Sequence, residues 1–504
     1  MARIAVIGAG MGAMAAAARL AVAGHRVAVY ERTETYGGGV RRFERDGFAF
    51  DTGPGLLTLP AVYRDLFVKT GREPLEDVVE LVQVDPSSWH VFADGTEVSL
   101  PNASRAGVVS ALDEALGAGA GDRWGDFLVR AREAWDRTRR PLLEEPLWPN
   151  WSVLADREPY PSVPHKKLLR TRRARTLAEV GAWELRDPRL VALLESHALA
   201  YGLDPRKAPA SAAVLPYMEH AFGTWYVRGG IRELARAVYE RCVARRVEFH
   251  FGADVVRVRE KDGRAAGVEL RGGTIHDADH VVAGVEPDDL DRITEHPLYG
   301  ERDVRPDALD SFRPGRFRVL LALRGPREPG AAHRTVVHAP DRTAELDFVS
   351  GITEEPPQLT VTVLRPDDPA LRPDAEHEAV VVSAVLPPGV EWDEDGVLGA
   401  RFADLLVERA EAAVPGLRER VLWRETRDDD DTDEETNSMF GGLQPPALAA
   451  GGGRFLRPSN TTALPGLYRV GGWSHPGGGL PHAGMSGALV AGLIVEGQEF
   501  RGSQ

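Results

Sequence analysis

Arg3–Gly24 reads RIAVIGAGMGAMAAAARLAVAG and runs at once into HRVAVYE, which ends at Glu31. The apolar run up to Ile7 predicts a buried strand. Gly8, Gly10, Gly12 and Ala13 then spell a GxGxxA turn that opens an alanine-rich helix, and Arg26–Glu31 predicts a second strand. In such a unit the first glycine makes the tight turn, Gly10 lets the backbone approach a pyrophosphate, and small Ala13 lets the helix pack on the sheet. Ala9, Met11 and Arg32 belong to the same loops. The helix amino end, with unpaired N–H groups and the dipole behind them, favours an anion. Glu31 stands about 20 residues past the glycines, where the ribose-binding acid belongs. The order strand, turn, helix, strand, acid therefore predicts a dinucleotide site; by itself it leaves NAD and FAD open. Ile4–Gly24 carries one charge, Arg19, over a length that would span a bilayer, but its glycines and alanines argue for the soluble unit. A strand beginning at the third residue also argues against a cleaved signal peptide.

The 504 residues are enough for two or three domains with a large core. Lys+Arg 61 against Asp+Glu 76 gives a net charge of −15, which argues against nucleic acid as a partner. One cysteine, Cys242, forbids an intrachain disulfide and a cysteine metal cluster, so the cytoplasm is the expected compartment. The 14 histidines show no HxxxH or HExxH spacing, so no metal site is expected.

Beyond Glu31, Gly37, Gly38 and Gly39 form a second close-approach loop. Phe43, Phe48 and Phe50 alternate as in a short strand pair, DTGPG (Asp51–Gly55) is a turn, and Pro60–Phe67 predicts a helix. Leu81–Leu100 predicts two strands around Asp94-Gly95, and Arg105–Arg139 a helix broken at Gly117–Gly121. Glu184–Leu203, Ala208–His220 and Ile231–Arg245 predict helices. Val247–Gly252 and Ala253–Lys261 predict strands with a hairpin at Asp262-Gly263. Phe317–Leu323, Thr335–His338, Leu359–Leu364 and Ala379–Leu386 are strand-like, with a helix over Leu398–Val414, which suits an open sheet flooring an apolar pocket. Leu467–Val470 predicts a last strand and Ser486–Ile494 the final helix. The acidic run Asp428–Glu435 reads as solvated and noncatalytic. Leu147–Arg175 sets Trp148, Trp151 and Tyr160 before a basic run that includes Lys166, Lys167, Arg170, Arg172, Arg173 and Arg175. Such a cluster is a candidate surface for anionic lipid, at about 1 kcal/mol per basic residue close to the membrane.

GAGMGA, Glu31, the GGG before RRFERDGFAFDTGPGLLTLPAVY, WYVRGGIREL and the terminal GLYRVGGWSHPGGGLPHAGMSGALVAGLI together resemble the carotenoid (phytoene) desaturase family, within the FAD-dependent amine oxidase-like superfamily. The resemblance covers most of the chain and is most specific at the terminal segment. It implies an α/β fold: a Rossmann-type FAD-binding domain assembled from discontinuous segments, plus a substrate domain of mixed β-sheet and helices. The expected division gives residues 1–80, 225–290 and 462–504 to FAD. Residues 81–224, with the candidate membrane-facing part, and 291–461, with the sheet, go to the substrate.

Implied cofactor contacts beyond the first turn are Gly37, Gly38, Gly39, Gly53, Pro54, Gly55 and Leu56, then Val255 at the adenine and Gly284, then Gly471, Gly472, Gly479, Leu480, Pro481 and Ala483. Three positions depart from the pattern. Gly284 stands where relatives often carry Asn or Thr, Gly471-Gly472-Trp473 where many carry an acid, and Gly39 where an Arg or Lys is common; Arg41 or Arg42 takes over that last role. The implied reaction moves two electrons from a C–C bond of an apolar polyene or isoprenoid to non-covalent FAD, with oxygen or a quinone as the final acceptor. Candidate catalytic residues are His482 first, then His475, Trp225 and Tyr226, with Glu219 and His220 nearby. A histidine in a Gly/Pro turn is more commonly a structural hydrogen-bonder, and such aromatics more commonly pocket wall. Alternatives within the same architecture are an amine oxidase, a redox-neutral polyene isomerase, or a flavin-free prenyl-binding carrier.

Overall fold

The computed structural model describes residues 1–165, 170–300, 303–304, 314–390, 396–428, 430–431, 435 and 443–502. The opening strand, Arg3–Ile7, pairs in parallel with Arg26–Tyr30 on one side and His280–Ala283 on the other. Glu248–His250 and Leu467–Arg469 complete a five-stranded parallel sheet drawn from the two ends and the middle of the chain. Helix Met11–Val22 is buried almost all round, because helices Arg232–Ala244 and Leu480–Val495 both pack on it. That crowding accounts for its alanines. Where the first and last helices cross, a Cβ on Gly12 would sit 2.8 Å from the Ala483 carbonyl oxygen, and one on Gly487 2.6 Å from that of Gly12. The two backbones touch directly, which only glycine permits. Cys242 is core: its Sγ donates to the Met14 carbonyl at 3.2 Å, and burial pushes the thiol up to about 12.

A second sheet has seven strands in the order Val421–Arg427, Gly315–Arg324, His377–Leu386, Val361–Leu364, Arg334–Val337, Ser88–Val91 and Glu97–Leu100. Four of these match the sequence expectation. Val421–Arg427 was not foreseen, and the Ser88–Leu100 hairpin joins through a parallel pairing of Thr335 with Trp89. One face buries Phe317, Val319 and Leu321 against Phe402 and Leu406 of helix Val397–Ala410. The other face is turned toward the cavity described below. A helical layer (Arg105–Leu116, Ala120–Arg139, Pro188–Leu199, Val214–Phe222) closes over its own core of Trp124, Phe127, Leu193 and Leu194.

Several expected boundaries move for local reasons. Leu81–Leu100 holds three strands, since Pro86 interrupts it and Leu81–Gln83 pairs instead with Trp225–Val227. The helix expected from Glu184 begins at Pro188, where the Asp187 carboxylate accepts the Arg189 N–H at 2.9 Å. The final helix begins at Leu480 rather than Ser486, because Gly479, at φ +97°, ends the loop and Pro481 suits a first helical turn. Among the aromatics of the candidate membrane segment, Tyr160 is core, its hydroxyl donating to Glu184 at 3.0 Å. Lys166 and Lys167 lie outside the described residues, as do Asp429, Asp433 and Glu434 of the acidic run. Among the described residues no helix is long and apolar enough to cross a membrane.

Candidate functional site

A cavity of about 880 Å³ lies between the two sheets. Gly8, Gly10, Met11, Gly12 and Ala13 line it where the opening strand ends. Gly10 caps helix Met11–Val22 and Gly479 caps helix Leu480–Val495, neither with a side-chain hydrogen bond. Gly479, Leu480 and Ala483 line the same cavity. Two helix amino ends, each with unsatisfied N–H groups, therefore converge on one space and favour negative charge there.

Glu31 lines the cavity but is already engaged: Oε2 accepts the Ala9 N–H at 2.7 Å, and Oε1 accepts the Thr33 N–H at 2.9 Å. This carboxylate braces the glycine turn from behind, which is how Ala9 takes part without lining the space. Arg32 lines the cavity and pairs with Asp289 at 3.1 Å. Gly37 donates to the Ala9 carbonyl at 2.8 Å, so the second glycine loop is laid against the first; Gly38 and Gly39 line the space beside it. Of the two arginines left open by the sequence, Arg41 lines the cavity and its Nε donates to the Gly38 carbonyl at 2.7 Å. Arg42 turns away to the Gly229 carbonyl, at 3.1 Å, and to Glu44. Gly53, Pro54 and Gly55 line the cavity, whereas Leu56 packs beside the Phe48 and Phe50 core. Val255 and Gly284 are in the lining as well. A Cβ on Gly284 would lie 3.1 Å from that of Ala13, a physical reason for glycine at this departure from the family pattern. Gly471, Gly472 and Trp473 complete this wall, and Pro481 does not line it.

The candidate catalytic residues divide. Tyr226 lines the cavity, its hydroxyl donating to Asp368 at 2.8 Å and its ring 4.8 Å from that of His333. Trp225 lies outside the lining, its indole N–H donating to the Phe222 carbonyl at 3.0 Å. His475 is fully buried, with Nε2 donating to the Glu145 carbonyl at 2.9 Å. His482 sits in the first turn of the last helix and faces a small space lined by Trp135, Leu143 and Met218. The six-residue shift in the start of that helix carries its ring to the far side. Burial pushes both imidazoles down to about 4, so each is neutral at ordinary pH. Glu219 is held in a half-buried ion pair with Arg334, and neither it nor His220 is in the lining.

Sequence reasoning missed the opposite wall. Arg316, Arg318, Thr362, Leu364, Val381 and Ser383 line the cavity from alternate positions of three adjacent strands. A period of two in the predicted strands was the available signal, but which face looks inward depends on register. His333 is the one histidine of the described lining, and burial holds it down to about 3. Asp51, also in the lining, accepts the Ile231 N–H at 2.9 Å, and burial raises it to about 6. Asn460, fully buried, ties the terminal loop together by donating to the Arg469 and His475 carbonyls at 3.1 and 2.8 Å. Among the described residues no group of His, Cys, Asp and Glu could hold a metal.

A glycine-lined channel with two open helix amino ends, a braced glutamate after the second strand and a sheet-walled chamber defines a flavin-dependent oxidoreductase. The chain belongs to the flavin-containing amine oxidoreductase family, whose model matches residues 14–362. It is 29% identical to the 4,4'-diapolycopene oxygenase of a Methylomonas species, over 98% of each chain. It is 30% identical to the zeta-carotene-forming phytoene desaturase of Myxococcus xanthus, over 97% of this chain and 93% of that one. Among solved structures an oxidoreductase from Methanosarcina mazei superposes with a TM-score of 0.65 at 18% identity, covering 97% of this chain and 99% of that one, a likeness of fold.

Proposed function

We propose that this chain is an FAD-dependent oxidoreductase that removes two electrons and two protons from a C–C bond of a carotenoid or related polyene. The observation that carries this is the single cavity shared by two helix amino ends on one side and an extended sheet face on the other. The curated relatives, named as a carotenoid oxygenase and a phytoene desaturase, support the substrate class.

The lining fits the cofactor. Backbone N–H groups at Gly10–Gly12 suit the pyrophosphate, Glu31 and Arg32 the ribose side, Val255 the adenine, Arg41 and the Gly37–Gly39 loop the middle, and Gly471, Gly472, Gly479 and Ala483 the ring system. Bound there, FAD supplies the two-electron acceptor. Leu364, Val381 and Ala379 offer apolar surface on the sheet side, against which a polyene lies flat and water is excluded. Tyr226 is fixed by Asp368 as a wall, and the His333 ring, held neutral by burial, stands beside it as part of that wall. We assign residues 1–80, 225–290 and 462–504 to the cofactor and 81–224 and 291–461 to the substrate. Oxygen or a quinone as the reoxidant completes the reading, with the Leu147–Arg175 segment as the face toward anionic lipid.

The purified protein should show a flavin spectrum that bleaches when a polyene is added without oxygen and returns when air is admitted. A colourless protein, or a flavin that no polyene reduces, overturns the assignment.

A further inference from the structure

Arg232 opens helix Arg232–Ala244 and is absent from the cavity lining among the described residues. Its guanidinium nonetheless reaches the loop that carries Gly37, Gly38 and Gly39. Nη1 donates to the Tyr36 carbonyl and, at 2.7 Å, to the Val40 carbonyl, and Nη2 donates to the Thr35 hydroxyl at 2.6 Å. One nitrogen therefore bridges the two ends of the loop over residues 36–40. The fork also lies over the Tyr36 ring, 4.3 Å from its centre, and that ring stacks at 4.3 Å on Tyr239 of the same helix. Residues seven apart share a helix face, so Arg232 and Tyr239 hold the loop together.

From its other side the loop is packed by the first glycine turn. Gly37 N–H donates to the Ala9 carbonyl at 2.8 Å, and a Cβ on Gly38 would lie 3.1 Å from the Gly10 Cα. Val40 N–H closes the loop by donating to the Gly37 carbonyl at 3.1 Å. A side chain on Gly37, at φ +103°, would run into the Arg232 guanidinium. The chain then passes into Arg41, which lines the cavity and donates to the Gly38 carbonyl at 2.7 Å. The start of the Arg232 helix is itself tied to the cavity rim, where Asp51 accepts the Ile231 N–H at 2.9 Å. Three successive glycines leave a loop many backbone states, so its shape must be imposed by such outside partners.

Resting on the cofactor assignment above, we propose that Arg232 is a positioning residue for FAD: from outside the cavity it holds residues 35–40 in the shape that presents Gly38, Gly39 and Arg41 to the cofactor. A planar guanidinium can bond two carbonyls and a hydroxyl while lying on an aromatic ring, and a compact ammonium cannot do both. Without that hold, the loop is ordered when FAD binds rather than when the chain folds, and the cost is taken from affinity.

The test titrates FAD into the flavin-free full chain and follows flavin fluorescence for the parent, R232M, R232K and R236M. We expect R232M to raise Kd by about 30-fold, the effect of losing charge-assisted hydrogen bonds, mostly through faster dissociation. R232K should recover part of that loss. R236M, from the next turn of the helix, where Arg236 pairs with Glu233 and Glu240, should match the parent. Hydrogen exchange of the flavin-free protein gives a readout that a general loss of stability would not: the Gly37 and Val40 amides should exchange about tenfold faster in R232M while the Arg3–Ile7 strand keeps its parent rates. A parent Kd in both Arg232 variants overturns the proposal, as does exchange that rises equally in loop and strand, the mark of a framework arginine. Should R232M fail to fold, R232K decides alone, and an unchanged Kd there overturns it. A parent that binds no FAD overturns the cofactor assignment itself, an outcome distinct from tight binding that is indifferent to Arg232.

Discussion

The two walls of the cavity are built on opposite principles. The wall of the parallel sheet presents glycines and helix amino ends, so backbone atoms do the contacting: Gly8, Gly10 and Gly12 on one side, Gly471, Gly472 and Gly479 on the other. The wall of the seven-stranded sheet presents side chains, and behind it polar groups are buried as a pair, Arg365 with Glu378. A backbone-made site tolerates little change at the glycines and is indifferent to charge elsewhere. A side-chain-made site tolerates change of shape but depends on partners being present. The substitutions that follow separate the two.

The largest effect is expected behind the sheet wall. Arg365 and Glu378 are 3% and 1% exposed and meet at 2.7 Å, with Arg420 joining Glu378 at 2.8 Å. Arg365→Met leaves the buried carboxylate with less compensation and should cost about 3–5 kcal/mol in a denaturant titration. The fraction that remains folded should keep its flavin spectrum. Gly12→Val reverses that pattern. Its first added carbon meets the Ala483 carbonyl at 2.8 Å, and the two helices must part; a loss of about 3 kcal/mol is expected, with flavin absorbance falling further than stability alone requires. If Gly12→Val kept its flavin while Arg365→Met lost it, the contrast between the walls would be wrong.

That contrast also decides what can be read from the chain. The backbone-made wall is legible because its contacts need glycine at fixed local spacing, and a GxGxxA turn or GGWSHPGGGLPHAG announces itself without any knowledge of the fold. Even Gly284, a departure from the family pattern, is explained once Ala13 is seen against it. The side-chain wall is illegible for the converse reason. Arg318, Ser383 and Thr362 come from strands paired across long separations, and each looks in the sequence like an ordinary polar residue on a half-buried strand. His482 misled because its loop was read one helical turn and more too long. Once the last helix starts at Leu480, His482 points into the helical layer, not the chamber.

Glu31 tests the backbone wall at a charged support. Glu31→Ala frees the N–H groups of Ala9 and Thr33 that its two oxygens now accept. The expected loss is about 2 kcal/mol in FAD affinity, or roughly 30-fold in Kd, measured by flavin fluorescence, because a charged acceptor is removed. Glu31→Gln should lose less, since one of the two oxygens survives. Equal loss in both would mean that charge, not bracing of the turn, is what the position contributes.

The smallest effect is a pH dependence belonging to the sheet half. Glu345, 6% exposed, accepts the Thr360 N–H at 2.6 Å and lies 3.0 Å from the Thr360 hydroxyl, and burial pushes it up to about 7. A carboxyl whose folded pKa is raised favours the folded state when protonated. Its contribution is complete below the ordinary carboxyl value of 4.5 and is lost as pH rises through about 7. Glu345→Gln keeps an acceptor for the Thr360 N–H but never ionises. It should therefore match the parent at the acid end and gain on the order of 1 kcal/mol over it above neutrality, read as a growing difference in Tm between the two proteins from pH 5 to pH 8. A constant difference across that range would show that Glu345 titrates at its ordinary value, and the sheet wall would then owe its cohesion to apolar packing against helix Val397–Ala410 rather than to the polar groups buried behind it.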